Sequence, residues 1–171
     1  SCYRNLELIN FWRKNVKKQI VIGCDNAAID LKNELIKLLT QEGILFEDIG
    51  VQNKNDQTYY PVIAERVAQK IIESDYTKEG ILLCGTGIGM AMTANKFPGI
   101  FAGVCHDNYS AERLRLSNNG NVICMGARVI GSELAKKILY EWLNLTYIPN
   151  GPSQPKVDAM RNIDNLYRKN K

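Results

Sequence analysis

The chain has 171 residues, enough for one domain with a real core and too few for a multidomain machine. Apolar residues at 45% and charged residues at 23% exclude a disordered chain, and five cysteines with no Cys-x-x-Cys spacing exclude a disulfide framework or a zinc knuckle. A net charge of +4 falls far short of a nucleic-acid footprint and suits a small anionic substrate.

Residues 1–18 read as an N-terminal helical extension in which Leu6, Ile9, Phe11 and Trp12 form an apolar patch, to pack against the body or a neighbour. Arg4, Arg13, Lys14, Lys17 and Lys18 flank no signal-peptide core, and no run approaches the roughly 18 apolar residues that cross a bilayer. The expectation is a cytoplasmic protein with reduced thiols and no membrane contact.

Residues 19–171 read as a single domain. Strand-like QIVIGC (19–24) precedes the amphipathic 27–43, then strand-like ILFEDIG (44–50) and a helical 61–74. GILLCG (80–85) is followed by a helix-like 88–97, FAGVC (101–105) by 109–119, and NVICMG (121–126) by 131–145. Five strand-like runs separated by helices imply an α/β fold, with right-handed crossovers and a parallel sheet covered on both faces. Gly43 stands where a left-handed helix stop is expected, and Pro61 fits an early helical position. After a proline-interrupted stretch, a last helix over about 156–168 carries Val157, Met160, Ile163 and Tyr167 on one stripe that needs a surface to bury it.

Ligands of an open parallel sheet bind beyond the carboxyl ends of its strands. That selects Cys24, Asp25 and Asn26, the run from Cys84 to Gly89, the trio Cys105, His106 and Asp107, and Gly126 to Arg128. The run CGTGIG is the most informative. Gly85, Gly87 and Gly89 between a strand and a helix let backbone N–H groups turn inward as an anion or oxyanion site, and Cys84 at its lip can act as a base or nucleophile. A tight turn beside a small apolar residue would use the same letters, but the thiol and the glycines together point to function.

Other chemistries fit less well. The spacing is Gly-x-Gly-x-Gly after the third strand, not the dinucleotide fingerprint after the first, although Asp107 falls near the distance of a ribose-gripping acid. No Lys-Ser or Lys-Thr follows the glycines, so a P-loop is absent. A thiol hydrolase would pair Cys84 with His106, the sole histidine, but lacks a third orienting residue. Asp25 can hold a sugar hydroxyl or relay its proton, or cap a helix from Ala27; both readings stay open.

The segments IVIGCDNAAIDLK, TYYPVIAERVA, GILLCGTGIGMAMTANKFPGI and YSAERLRLSNNGNVICMGARVIGSELAK resemble, in order and spacing, the type B ribose-5-phosphate isomerases and the related galactose-6-phosphate isomerase subunits. The resemblance implies a Rossmann-like three-layer sandwich and an aldose–ketose isomerase that works without metal or nucleotide cofactor. It also implies a substrate site completed across the interface of a homodimer or tetramer. Cys84 matches the family's proton-shuttling cysteine, passing a proton between C2 and C1 of the open-chain sugar through an enediolate that the loop amides stabilise. Thr86 and Asp25 match positions that assist ring opening and hydroxyl binding. Tyr60 matches a residue of the sugar pocket, Asn118 a substrate-contacting amide, and Arg128 a family arginine.

The departures bear on the substrate. Asn26 and Ser117 stand where the family commonly has histidines. The segment N-G-P-S-Q-P-K (150–156) replaces an arginine-bearing phosphate clamp and leaves only Lys156. A lysine offers a point charge without the guanidinium fork, so phosphate binding is expected to be weaker or rebuilt from Arg113, Arg115, Arg128, Lys156 and His106. Five-carbon sugar phosphate is the default substrate. The alternatives are the cysteine-bearing half of a galactose-6-phosphate-type hetero-oligomer and a catalytically silent sugar-binding subunit.

Overall fold

A computed structural model describes residues 17–168, so the expected arm lies outside the described residues except for Lys17 and Lys18. Five parallel strands, β1 (Gln19–Cys24), β2 (Phe46–Asp48), β3 (Lys78–Cys84), β4 (Ala102–Val104) and β5 (Val122–Gly126), form one sheet in the order β2-β1-β3-β5-β4. The central strands read as unbroken apolar runs, Ile-Val-Ile in β1 and Ile-Leu-Leu in β3, because helices bury them from both sides.

One face carries α2 (Tyr60–Glu73) and α3 (Ile88–Ala94); the other carries α1 (Ile29–Gln41), α4 (Asn108–Leu116) and α5 (Ser132–Asn144), with α5 touching both of its neighbours. Helix α1 buries Leu31, Leu35, Leu38 and Leu39 at helical spacing, and the chain leaves it through Gly43 at φ +64°. Helix α2 begins with Pro61 in its first turn and lies directly on β1: a Cβ on Gly23 would stand 2.8 Å from Ile63 and 2.9 Å from Val67. Helix α3 ends sooner than the sequence pattern suggests. Asn95 there turns its amide onto the Ala102 backbone, donating to its carbonyl at 2.9 Å and accepting its N–H at 2.7 Å, which ties the helix exit to β4.

The last helix, α6 (Gln154–Arg168), is attached differently from the others. It buries only Val157, while Ile163 and Tyr167 of the expected stripe are exposed and Met160 is half-buried. Polar ties hold it instead. Arg168 donates to the Lys96 carbonyl and to Asp164, both at 2.7 Å, Asp164 accepts the Gly99 N–H, and Arg161 sits over the Phe101 ring. No helix among the described residues is long and apolar enough to cross a membrane.

Two ion pairs are built into the core. Lys32 is fully buried, with its ammonium on Asp48 at 2.9 Å and on the Val51 carbonyl at 3.0 Å, which pins the chain leaving β2. Arg115 grips Glu79 with both terminal nitrogens, at 2.9 and 2.7 Å, donates to the Gly120 carbonyl and stacks on the buried Trp142. Removing one member of such a pair strands the other charge away from water. Glu79→Ala is therefore expected to lower stability by about 3 kcal/mol, read as a shifted midpoint in urea unfolding.

Candidate active site

In the order β2-β1-β3-β5-β4 the chain winds outward from β1 to β2 and then crosses to β3, so a crevice opens at the carboxyl ends of β1 and β3. Asp25 and Cys84 stand on its two sides: Cys24 pairs with Leu83 in the ladder, and the Asp25 N–H donates to the Leu83 carbonyl.

Cys84 ends β3 and is 5% exposed. Its sulfur accepts the Gly87 N–H at 3.0 Å. That contact requires the chain to double back within three residues, and it does so through Gly87 at φ +79°, a conformation that side-chain-bearing residues rarely adopt. A Cβ on Gly87 would also stand 3.0 Å from the Met125 backbone. The Ile88 N–H donates to the Thr86 hydroxyl at 3.3 Å and closes the turn.

The other described cysteines are built as neutral thiols. Cys24 donates to the Val51 carbonyl, and burial pushes its pKa up to about 12. Burial likewise lifts Cys105 to about 11 and Cys124 well above the ordinary thiol range. Among the described cysteines Cys84 is the one whose sulfur accepts a backbone N–H.

The end of β5 packs onto this turn. Ala127 and Arg128 donate their N–H groups to the carbonyls of Cys84 and Gly85, at 2.8 and 3.0 Å. The Arg128 guanidinium covers Gly85, where a Cβ would meet it at 3.3 Å, and the Tyr60 ring covers Gly89, where a Cβ would stand 2.5 Å from a ring carbon. Each glycine of the run thus serves a contact: two lie under side chains of the crevice and one aims an amide at the sulfur.

Asp25 accepts the Ala27 N–H at 3.0 Å, while α1 starts only at Ile29 with no side-chain cap, so the carboxylate orders the loop and not the helix end. Burial raises its pKa above the ordinary value of 3.8, against the Ala27 hydrogen bond and the nearby Arg128 charge. Asn26, next to it, donates to the Lys54 carbonyl at 3.5 Å. Asp107 is engaged as the cap of α4, accepting both the Ser110 N–H and its hydroxyl at 2.7 Å. His106, expected as a cation, instead accepts the Gly126 N–H on Nε2 at 2.8 Å, and burial lowers its pKa from 6.5.

Ten of the expected residues therefore gather at one edge: Asp25, Asn26, Tyr60, Cys84, Gly85, Thr86, Gly87, Gly89, His106 and Arg128. Asn118 and Lys156 do not join them. They line a separate cleft of about 250 Å³ with Ser117, Ser153, Val157 and Met160. Asn118 lies where the chain enters β5, so the length of that strand, about 13 Å at roughly 3.3 Å per residue, separates its level from that of Cys84. Sequence reasoning missed this division, since two residues matched to one family site give no sign of which edge each occupies.

Residues 20–160 match the family described as Ribose/Galactose Isomerase. The chain belongs to that family. It is 49% identical over 150 residues to "Ribose-5-P isomerase B" of Listeria innocua, covering 88% of this chain and 99% of that one. It is also 49% identical over 141 residues to "D-erythrulose-4-phosphate isomerase" of Pectobacterium atrosepticum, covering 82% and 91%. Among solved structures, the ribose-5-phosphate isomerase B of Clostridium thermocellum superposes with a TM-score of 0.81 at 33% identity, covering 87% of this chain and 99% of that one. The fold and the reaction class, aldose–ketose interconversion of a sugar phosphate, follow from this membership.

Because Gly87 alone supplies the turn, Gly87→Ala is expected to cost about 1–2 kcal/mol of stability and to pull the amide off the Cys84 sulfur. The checks are urea unfolding and isomerase turnover, which should fall further than the stability loss accounts for.

Proposed function

We propose that this chain interconverts an aldose phosphate of four or five carbons and its ketose, with Cys84 as the shuttling base. The observation that carries the reading is the Gly87 amide on the Cys84 sulfur at the mouth of the crevice. A thiolate held by an N–H removes the C2 proton of the open-chain aldose. The electron pair moves into the C1–C2 bond and leaves charge on the C1 oxygen of a cis-enediolate. The remaining amides of the glycine run stabilise that oxygen, a proton passes from the C2 hydroxyl to the C1 oxygen, and the thiol returns its proton at C1, leaving the carbonyl at C2 and the thiolate restored. The exposed Thr86 hydroxyl and the free oxygen of Asp25 face the sugar hydroxyls and assist ring opening, while Tyr60 and Asn26 wall the pocket.

Charge at the far end of the sugar is met by two sources. Arg128 reaches over Gly85 at the same edge. Asn118 and Lys156 lie at the opposite edge of their own subunit, so they serve the sulfur of a second copy in a twofold pair, in which each subunit completes the other's site. Tyr59, Ile88, Met92 and Val129 near the crevice and Ile163, Leu166 and Tyr167 on α6 are exposed apolar residues of the kind such a contact covers. Relatives of equal identity are named for ribose 5-phosphate and for D-erythrulose 4-phosphate, so both chain lengths belong in the assay.

A second reading rests on the segment 150–156, which holds no arginine: a cysteine-bearing subunit whose phosphate clamp comes from a different chain. A panel of aldose phosphates assayed with the protein alone separates the two. Ketose formation supports the homomeric enzyme; turnover only with a second, arginine-bearing chain supports the other.

Cys84→Ala is expected to lower kcat by between a hundredfold and ten-thousandfold and to abolish exchange of the C2 proton with solvent, with the fold intact by circular dichroism. Unchanged exchange removes the cysteine from the mechanism. Mixing Cys84→Ala with Lys156→Ala protein should restore about a quarter of the wild-type sites, because half the dimers are hybrids and each hybrid has one intact site. Activity that is merely the average of the two variants would place both residues' roles within one subunit.

A further inference from the structure

One side chain at the catalytic edge is bonded to backbone and not turned to the crevice. His106 Nε2 accepts the Gly126 N–H at 2.8 Å. A ring nitrogen that accepts carries no proton, so in the neutral ring the proton sits on Nδ1. Gly126 pairs with Cys84 in the sheet, and a Cβ on it would stand 2.6 Å from the Thr86 Cα. The next residue, Ala127, donates to the Cys84 carbonyl at 2.8 Å. A continuous line of contacts runs from the imidazole through the Gly126 amide to the turn that aims the Gly87 N–H at the sulfur.

We propose that His106 is a positioning residue: its neutral ring fastens the end of β5 against the Cys84 turn, and a proton on Nε2 releases it. The inference rests on Cys84 being the base. An imidazolium has two donors and no acceptor, so its Nε2–H would face the Gly126 N–H and leave that buried amide without a partner.

Asp107, on the ring's own segment, is the charge that acts on it and opposes the effect of burial. Other titratable or charged groups at this edge are Asp25 beyond β1, Tyr60 at the start of α2, Cys84 on β3, Tyr109 on α4 and Arg128 beyond β5, with the buried thiols Cys105 just past β4 and Cys124 on β5. With the folded value below 6.5, the native protein binds fewer protons than the unfolded chain just under that pH. The contribution of the neutral ring is therefore complete above pH 6.5 and is lost as pH falls through the lowered folded value.

His106 is the only histidine, so untagged protein gives one imidazole signal in long-range ¹H–¹⁵N NMR. The expected result is the Nδ1–H tautomer, a midpoint below 6.5, and a Gly126 amide resonance that moves with the same midpoint. An Nε2–H tautomer, or a Gly126 amide indifferent to the ring, overturns the proposal. Kinetically, the acid limb of kcat in the wild type should share that midpoint. His106→Asn, whose amide oxygen can accept the same N–H without titrating, should keep kcat at pH 8 and lose that limb. His106→Phe should lower kcat about tenfold at pH 8, with KM changed less. A His106→Asn profile with the wild-type limb, or a fully active His106→Phe, also overturns it. Should Cys84→Ala still exchange the C2 proton, the cysteine reading fails, while the NMR measurement judges the His106 contact independently of turnover.

Discussion

The site depends on one N–H directed at one sulfur. The Gly87 amide reaches Cys84 only because the chain reverses within three residues, and the reversal needs a left-handed backbone at its apex. Everything around the turn keeps it in place. The end of β5 donates two N–H groups to its carbonyls, Met125 backs Gly87, and Tyr60 and Arg128 lie over the other two glycines. In a sheet buried on both faces these elements have little freedom to shift, so a contact of 3.0 Å is held by packing and not by the hydrogen bond alone.

The second organising feature is the separation of two chemistries across the sheet. The carboxyl edge holds the thiol, the half-buried carboxylate of Asp25 and the Tyr60 ring, while the cleft with Asn118 and Lys156 lies at the level where β5 begins. The chain therefore presents two separate polar surfaces, one at each edge of the sheet. The exposed apolar residues on α3 and α6 belong to the same logic, since a helix that buries one residue out of a four-residue stripe has most of its apolar face still open.

Much of the fold was legible because each element carried a local signal. The run QIVIGC coincides with β1, Gly43 ends α1 in the left-handed conformation, and Pro61 opens α2. The glycine run and Cys84 stood out because chemistry and turn geometry ask for the same residues. What was not legible depends on contacts between distant segments. Strand order, the clasp of Asn95 on Ala102, the buried pairs Lys32–Asp48 and Arg115–Glu79, and the bond from His106 to Gly126 join residues whose proximity no spacing encodes. The α6 stripe shows the limit from the other side: periodicity identifies an apolar face, but not whether its own subunit covers it.

The way α6 is fastened has a consequence for how such a protein can diversify. Its ties to the body are a guanidinium on a carbonyl, a carboxylate on an amide and a stacked arginine, all near its later turns, while Lys156 sits near its beginning. Lys156 is exposed, unlike its buried neighbour Val157, so it can be exchanged without opening a hole in the hydrophobic interior. A substitution at Lys156 therefore leaves the turn around the sulfur, locked in the sheet, as it is.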